Sequence, residues 1–158
     1  MGQQEKYDVF ISYSRADYLD ENNNIIIGSP VDIIVKTLDS NNIKYWIDID
    51  GDNASNQYMS KIANAISNSR RVIFVSSKKS NDHNSYWPIK EILFASEKQK
   101  EIIPIRIDNC EFHNDIALAL AGLDTLEYYK NSKKSTKSFL YASKVFSAKP
   151  FSSSKNSK

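Results

Sequence analysis

Few residues of this chain have the type and spacing to do chemistry, and the most suggestive pair is Trp87 and Glu91. Standing four apart, they share one face if the segment is helical. Pro88 limits how that helix begins. A residue before proline avoids helical geometry, so Trp87 is the expected cap and Pro88 the first helical residue. Glu91 then lies about one turn in, near the positive end of the helix, where an ionised carboxylate is favoured. Such a pair also reads as a packing anchor beside a dipole-complementing charge, and residue types alone leave both readings open. Asp48 and Asp50 close a strand-like run, where an aspartate either touches a ligand or stabilises the turn. Tyr13 ends another such run and divides between ligand contact and core.

Other chemistries find little support. The single cysteine, Cys110, lies between Asn109 and Glu111 with no neighbouring positive charge to make it a nucleophile. Alone, it cannot form an internal disulfide, which fits a reducing, cytoplasmic setting. His83 and His113 are isolated, so no metal is expected. Glycines stand only at 2, 28, 51 and 122, a spacing that makes no phosphate-cradling loop.

These residues must be positioned by an alternation of apolar segments. Tyr7–Tyr13 reads as a buried strand, followed by a polar stretch, Ser14–Asn24. Pro30 opens a helix with Val31, Ile34, Val35 and Leu38 on one stripe, and Asn41–Asn42 ends it. Ile43–Ile49 is a second strand and Gly51–Gln57 a loop. Met59, Ile62, Ala63 and Ile66 mark a second helix. Arg71–Ser76 is apolar enough to be a central strand covered on both faces. A helix from Pro88 to about Glu97, a strand Glu101–Ile107, a helix Asn114–Leu123 and a short strand Thr125–Tyr129 complete the series. Repeated strand–helix units specify a parallel sheet with helices on both faces, and such sheets bind ligands beyond the carboxyl ends of their strands. Trp46 is expected in the core.

The 158 residues suit one domain with a real core, and 41% hydrophobic with 25% charged content is that of a soluble globular chain. No apolar run approaches the ~20 residues of a membrane span, and the polar start, Met1–Asp8, holds no signal-peptide core. The net charge of +2 hides an asymmetry. Seven lysines and no acid follow Lys130, which leaves residues 1–130 at −5. We therefore expect one domain over 1–130 and a basic Ser/Lys-rich tail over 131–158. Within the tail Phe139, Ala142, Val145 and Phe146 fit one short helix before a disordered end. Nucleic-acid binding has only this tail in its favour and is not expected.

Tyr7-Asp-Val-Phe-Ile-Ser-Tyr-Ser14, Tyr45-Trp-Ile-Asp-Ile-Asp-Gly51, Val72-Ile-Phe-Val-Ser-Ser77, Trp87-Pro-Ile-Lys-Glu91 and Ile102-Ile-Pro-Ile-Arg-Ile107 follow one another in an order that resembles TIR (Toll/interleukin receptor) domains. The resemblance covers roughly Lys6–Tyr129. It implies a flavodoxin-like three-layer α/β sandwich around a central parallel five-stranded sheet. Some TIR domains are scaffolds that act by homotypic contacts. Others cleave NAD+ and carry a Trp-x-x-x-Glu signature, matched here by Trp87 and Glu91.

The resemblance to the second kind implies Glu91 as catalytic residue and Tyr13, Ser14, Arg15, Asp48 and Trp87 as substrate-binding residues. NAD+ is then a substrate, and no cofactor is implied. Arg15 would pair with the dinucleotide phosphates, and a flat aromatic surface would grip the cationic nicotinamide. The resemblance further implies self-association through the BB loop, about Asp50–Tyr58, and a role in bacterial antiphage defence with a downstream effector sensing an ADP-ribose-derived signal. The loop lacks the second glycine usual in the family, so its contacts do not carry over in detail. A receiver domain shares the layout but needs an aspartate at the end of the third strand, where this chain has Val75-Ser76-Ser77.

Overall fold

The computed structural model describes residues 6–49, 56–82 and 86–131. Five parallel strands, β1 (Tyr7–Ser12), β2 (Tyr45–Ile47), β3 (Ser69–Ser76), β4 (Glu101–Arg106) and β5 (Leu126–Glu127), lie in the order β2-β1-β3-β4-β5. Between them run the helices α1 (Pro30–Ser40), α2 (Asn56–Ser67), α3 (Tyr86–Glu97) and α4 (Asn114–Leu120), with single 3-10 turns at Arg15–Asp17 and Tyr128–Asn131. The α/β three-layer architecture expected from the alternation is the one observed, and β3 is the central strand.

Strand alternation divides the core in two. Val9 and Ile11 of β1, Ile73 and Val75 of β3, and Ile103 and Ile105 of β4 face α1, which answers with Val31, Ile34, Val35 and Leu38. Phe10, Val72, Phe74 and Ile102, the intervening residues, face the other helices through Ile62 and Ile66 of α2, Ile89 and Ile92 of α3, and Ile116 and Leu120 of α4. Trp46 joins this second cluster, its ring stacked on Phe10 at 5.0 Å, as its expected core role requires.

Local chemistry sets the ends of the helices. Ser29 caps α1 by accepting from the Asp32 amide at 3.2 Å, with Pro30 at the first position, where no N–H is needed. Asn42, at φ 57°, turns the chain out towards β2. His113 caps α4 in the same manner, its Nδ1 accepting from the Asp115 amide at 3.0 Å.

Several boundaries differ from the sequence reading. The second strand is three residues long rather than seven, because it pairs only with β1 at one margin of the sheet. Helix α4 stops at Leu120, short of Leu123, where Gly122 takes φ 81°. Helix α2 starts at Asn56, inside the stretch read as a loop. The last strand shrinks to two residues before the chain coils into a 3-10 turn. Residues 50–55 of the expected BB loop, His83, and the tail from residue 132 lie outside the described residues.

Pro104 sits inside β4 without disturbing its ladder to β3. The Ile107 amide donates to the Ser76 carbonyl at 2.9 Å, so odd-numbered amides of β4 point to β3. The position of Pro104 therefore faces the other side, where β5 pairs only with Ile105 and Arg106. Arg106 fastens that short strand by donating to Glu127 at 3.0 Å.

Candidate active site

The carboxyl ends of β1 and β2 meet the first turns of α2 and α3, and the candidate residues gather there. Glu91 lies on the inner face of α3 at 7% exposure. Its Oε1 accepts a hydrogen bond from Ser12 Oγ at 2.7 Å. Ser12 is the last residue of β1 and completely buried. Burial pushes the Glu91 carboxyl up to about 8, the Ser12 hydrogen bond opposes the shift, and the nearby charge of Asp48 adds to it.

Two expectations are thereby corrected. The dipole of α3 was expected to keep Glu91 ionised, but loss of water outweighs the helix end, and the carboxyl holds its proton near neutral pH. Trp87 was expected to cap the helix with Pro88 as its first residue. Instead α3 begins at Tyr86, so Trp87 is the second helical residue and Pro88 the third. A proline is still tolerated there, since the amides of the first turn have no acceptor within the helix.

Around Glu91 a set of polar groups ties the strand ends together. Asp48, just after β2, accepts from the Tyr58 hydroxyl of α2 through its carboxylate and from the Tyr13 hydroxyl through its carbonyl. Both phenols are pushed well above their usual range, first by burial; for Tyr58 the hydrogen bond to Asp48 follows, and for Tyr13 the opposing charge of Arg15. The ring of Tyr13 is buried and meets Tyr18 edge-on at 5.7 Å. Arg15 donates to the Ile49 carbonyl and, at 3.0 Å, to Asn23 Oδ1. Ser14 is half-buried and precedes the 3-10 turn without capping it by its side chain. The electrostatic coupling among Tyr13, Arg15, Asp48, Tyr58 and Glu91 marks them as one cluster.

Beside this cluster a cleft of about 630 Å³ opens between α2 and α3. Met59, Ile62, Ala63, Trp87 and Phe94 give it apolar walls, and Glu91 contributes to its lining. That volume is within the range of small-molecule sites. Trp87 is half-buried in its wall, with Tyr58 edge-on at 5.0 Å and the Lys90 ammonium 5.8 Å from the ring centre. Of the two aromatic candidates, Trp87 lines the cleft and Tyr13 serves as a peg for Asp48. The structure thus brings Glu91, Trp87, Asp48, Tyr13 and Arg15 to one end of the sheet, with Ser14 at the turn beside them.

Ser12 and Tyr58 were missed as site residues. For Ser12 the signal was available: it continues the alternation of Phe10 on β1 and so faces α3. No such signal marked Tyr58, whose hydroxyl reaches Asp48 only through the packing of α2. Behind the cluster, the loop after β3 is fixed by Asn81, which donates to Ser76 Oγ at 2.9 Å and accepts from the His113 amide at 2.8 Å. Among the described residues no group of three or more potential metal ligands occurs, and no helix is long and apolar enough to cross a membrane.

A family profile described as TIR domain matches residues 9–140. Among solved structures, the chain is similar to the TIR domain of the Toll-related receptor TRR-2 from Hydra magnipapillata, at 24% identity and a TM-score of 0.59. That match covers 87% of this chain and 97% of the other. It is also similar to the TIR domains of the activated Roq1 resistosome that recognises the pathogen effector XopQ, at 19% identity and a TM-score of 0.51. Here 92% of this chain and 86% of the other are covered. No curated protein matches the chain in sequence.

Proposed function

The chain belongs to the TIR domain family, and we propose that it cleaves the nicotinamide–ribose bond of NAD+ with Glu91 as the working carboxylate. One observation carries the reading: a buried carboxyl, four residues after a tryptophan, lines an apolar cleft between α2 and α3 and bonds the last residue of β1. A solvated helical charge would have no reason to be at 7% exposure.

The bond to nicotinamide breaks with both electrons passing to the ring nitrogen, so a cationic pyridinium departs as a neutral base. No acid is needed to help it leave, unlike the two-carboxylate hydrolysis of ordinary glycosides. The ribose carbon becomes oxocarbenium-like, and an ionised Glu91 stabilises that charge in a site of low polarity. Water then adds to the same carbon and gives up a proton, yielding ADP-ribose. An internal or exogenous nucleophile in place of water yields a cyclic form or an adduct.

The raised pKa of Glu91 fits this scheme. A pyridinium cation entering the cleft favours the charged carboxylate and expels the proton. Trp87 supplies a flat face for the cation, an attraction of roughly 0.5–2 kcal/mol. Arg15 donates to Ile49 and Asn23, and its five-donor guanidinium keeps further N–H groups for a dinucleotide phosphate. Assembly of several copies as the trigger, a cytoplasmic setting, a downstream effector that senses the product, and service in antiphage defence complete the proposal. Support for assembly comes from the Roq1 relative, whose TIR domains are described within a resistosome.

The test is NAD+ consumption by wild type, Glu91→Ala and Glu91→Gln over rising protein concentration, with products identified. Wild type should turn over and both variants should lose roughly 100-fold or more. Equal rates in all three would remove the catalytic role. A well-assembled wild type with no turnover would leave a TIR scaffold acting by homotypic contact.

A further inference from the structure

Beyond Glu91, we infer that Ser12 is a positioning residue, whose hydroxyl aims the Glu91 carboxyl and holds its ionised form during turnover. The inference rests on the reading of Glu91 as the working carboxylate. Four observations support it. Ser12 is wholly buried, where an apolar side chain would be the ordinary choice. The residues flanking it on the same face, Phe10 of β1 and Phe74 of β3, belong to the apolar core. Its hydroxyl bonds a carboxyl 79 positions away at 2.7 Å. The buried Ser69 instead uses its hydroxyl locally, donating to the Ala65 carbonyl at 2.7 Å. Ser12 is therefore committed to a tertiary partner.

A hydroxyl suits this task better than an amide or a charged group. It has one hydrogen to donate and lone pairs to accept with. It donates to Glu91 when the carboxylate is ionised, and it can either donate to or accept from the carboxyl when that is protonated. The carboxyl can thus exchange its proton without swinging away from the cleft. A donated hydrogen bond to an anion is also among the stronger ones, and Ser12 adds no charge that would compete for the cationic nicotinamide ring.

The charged and titratable groups around Glu91 are Asp48 after β2, Tyr13 and Arg15 after β1, Tyr58 on α2, and Lys90 and Glu97 of α3 along the cleft. Of these Asp48 raises the Glu91 carboxyl by its charge. Tyr58 and Tyr13 already donate to Asp48. Among the described residues Ser12 is the side chain seen donating to Glu91 itself.

The test uses Ser12→Ala, Ser12→Thr and Ser12→Cys, with two readouts. The first is titration of the Glu91 side-chain carboxyl by carbon-13 NMR without substrate, its signal assigned through Glu91→Gln. From about 8 in wild type, Ser12→Ala should move the midpoint upward by a pH unit or more. Ser12→Thr should return it most of the way. The second is the pH dependence of NAD+ cleavage. Ser12→Ala should lower kcat at pH 7 by about 10-fold or more with little change in KM, and its activity should rise at a higher pH than wild type.

Ser12→Cys retains a side chain of similar size with a weaker donor and should fall between Ser12→Ala and wild type, even if threonine crowds the core. An unchanged titration and pH profile in Ser12→Ala and Ser12→Cys overturn the proposal. A shifted titration in a domain whose wild type never consumes NAD+ supports the hydrogen-bond role and sinks the NAD+ reading. An unshifted titration in an active enzyme does the reverse.

Discussion

The two faces of the sheet are built from alternate residues of the same strands, yet they end differently. Towards α1 the apolar sequence continues to the carboxyl ends of β3 and β4, with Val75 and Ile105 as the last contributions. Towards α2 and α3 it stops one step earlier. Beyond Phe10 and Phe74 stand Ser12 and Ser76, and Glu91 descends from α3 to meet the first of them. One helix covers the first face closely, while two helices leave a cleft on the second. The difference separates two tasks. The first face is mainly cohesive, whereas the second buries Ser12 and Glu91 beside its cleft and gains an unusually weak acid.

The strongest way to break this comparison is through the cohesive face. Leu38→Ala, at a fully buried position of α1, should lower stability by about 2–5 kcal/mol in urea unfolding. If the loss were well below 1 kcal/mol, the α1 face would not be the cohesive one.

On the other face the expected sign is opposite. Glu91 titrates near 4.5 when exposed and at about 8 in the fold. Below pH 4 it is protonated in both states and costs nothing. As pH rises towards 8 the unfolded chain releases a proton that the folded chain keeps, so the folded state loses ground; above 8 the loss is constant. Glu91→Gln should therefore melt several degrees above wild type at pH 8 and close to it at pH 4.5. A Gln variant that melted lower at pH 8 would mean that the buried carboxyl stabilises the fold.

The smallest effect refines the local electrostatics. Asp48 raises the Glu91 pKa by its charge, after burial and against Ser12. Asp48→Asn should move the onset of activity to lower pH by a fraction of a unit, opposite in direction to Ser12→Ala. A shift upward would show that the Tyr58–Asp48 contact, and not the Asp48 charge, sets the surroundings of Glu91.

Much of the architecture was legible because alternation and helical periodicity are short-range signals. Val9 and Ile11 against Phe10 already describe a strand buried on both faces, and Pro30 with its stripe describes α1. The margins were less legible, since the lengths of β2 and β5 depend on neighbours and not on their own residues. At the site, the position of Glu91 was readable and its charge state was not. The sequence displays the helix end that favours the anion, but the water removed by Ser12, β1 and α2 becomes countable only once the chain is folded. Tyr58 was hidden for the same reason, as its reach to Asp48 is a property of packing.

Pro104 bears on how this domain meets others of its kind. Among the described residues, the outer side of β4 before Ile105 has no strand beside it, and an open margin of that sort invites a stray strand to add itself. At Pro104 the invitation fails, because the backbone nitrogen that would bond the newcomer carries no hydrogen. Crowding then has no ready template at that position from which to seed fibrils.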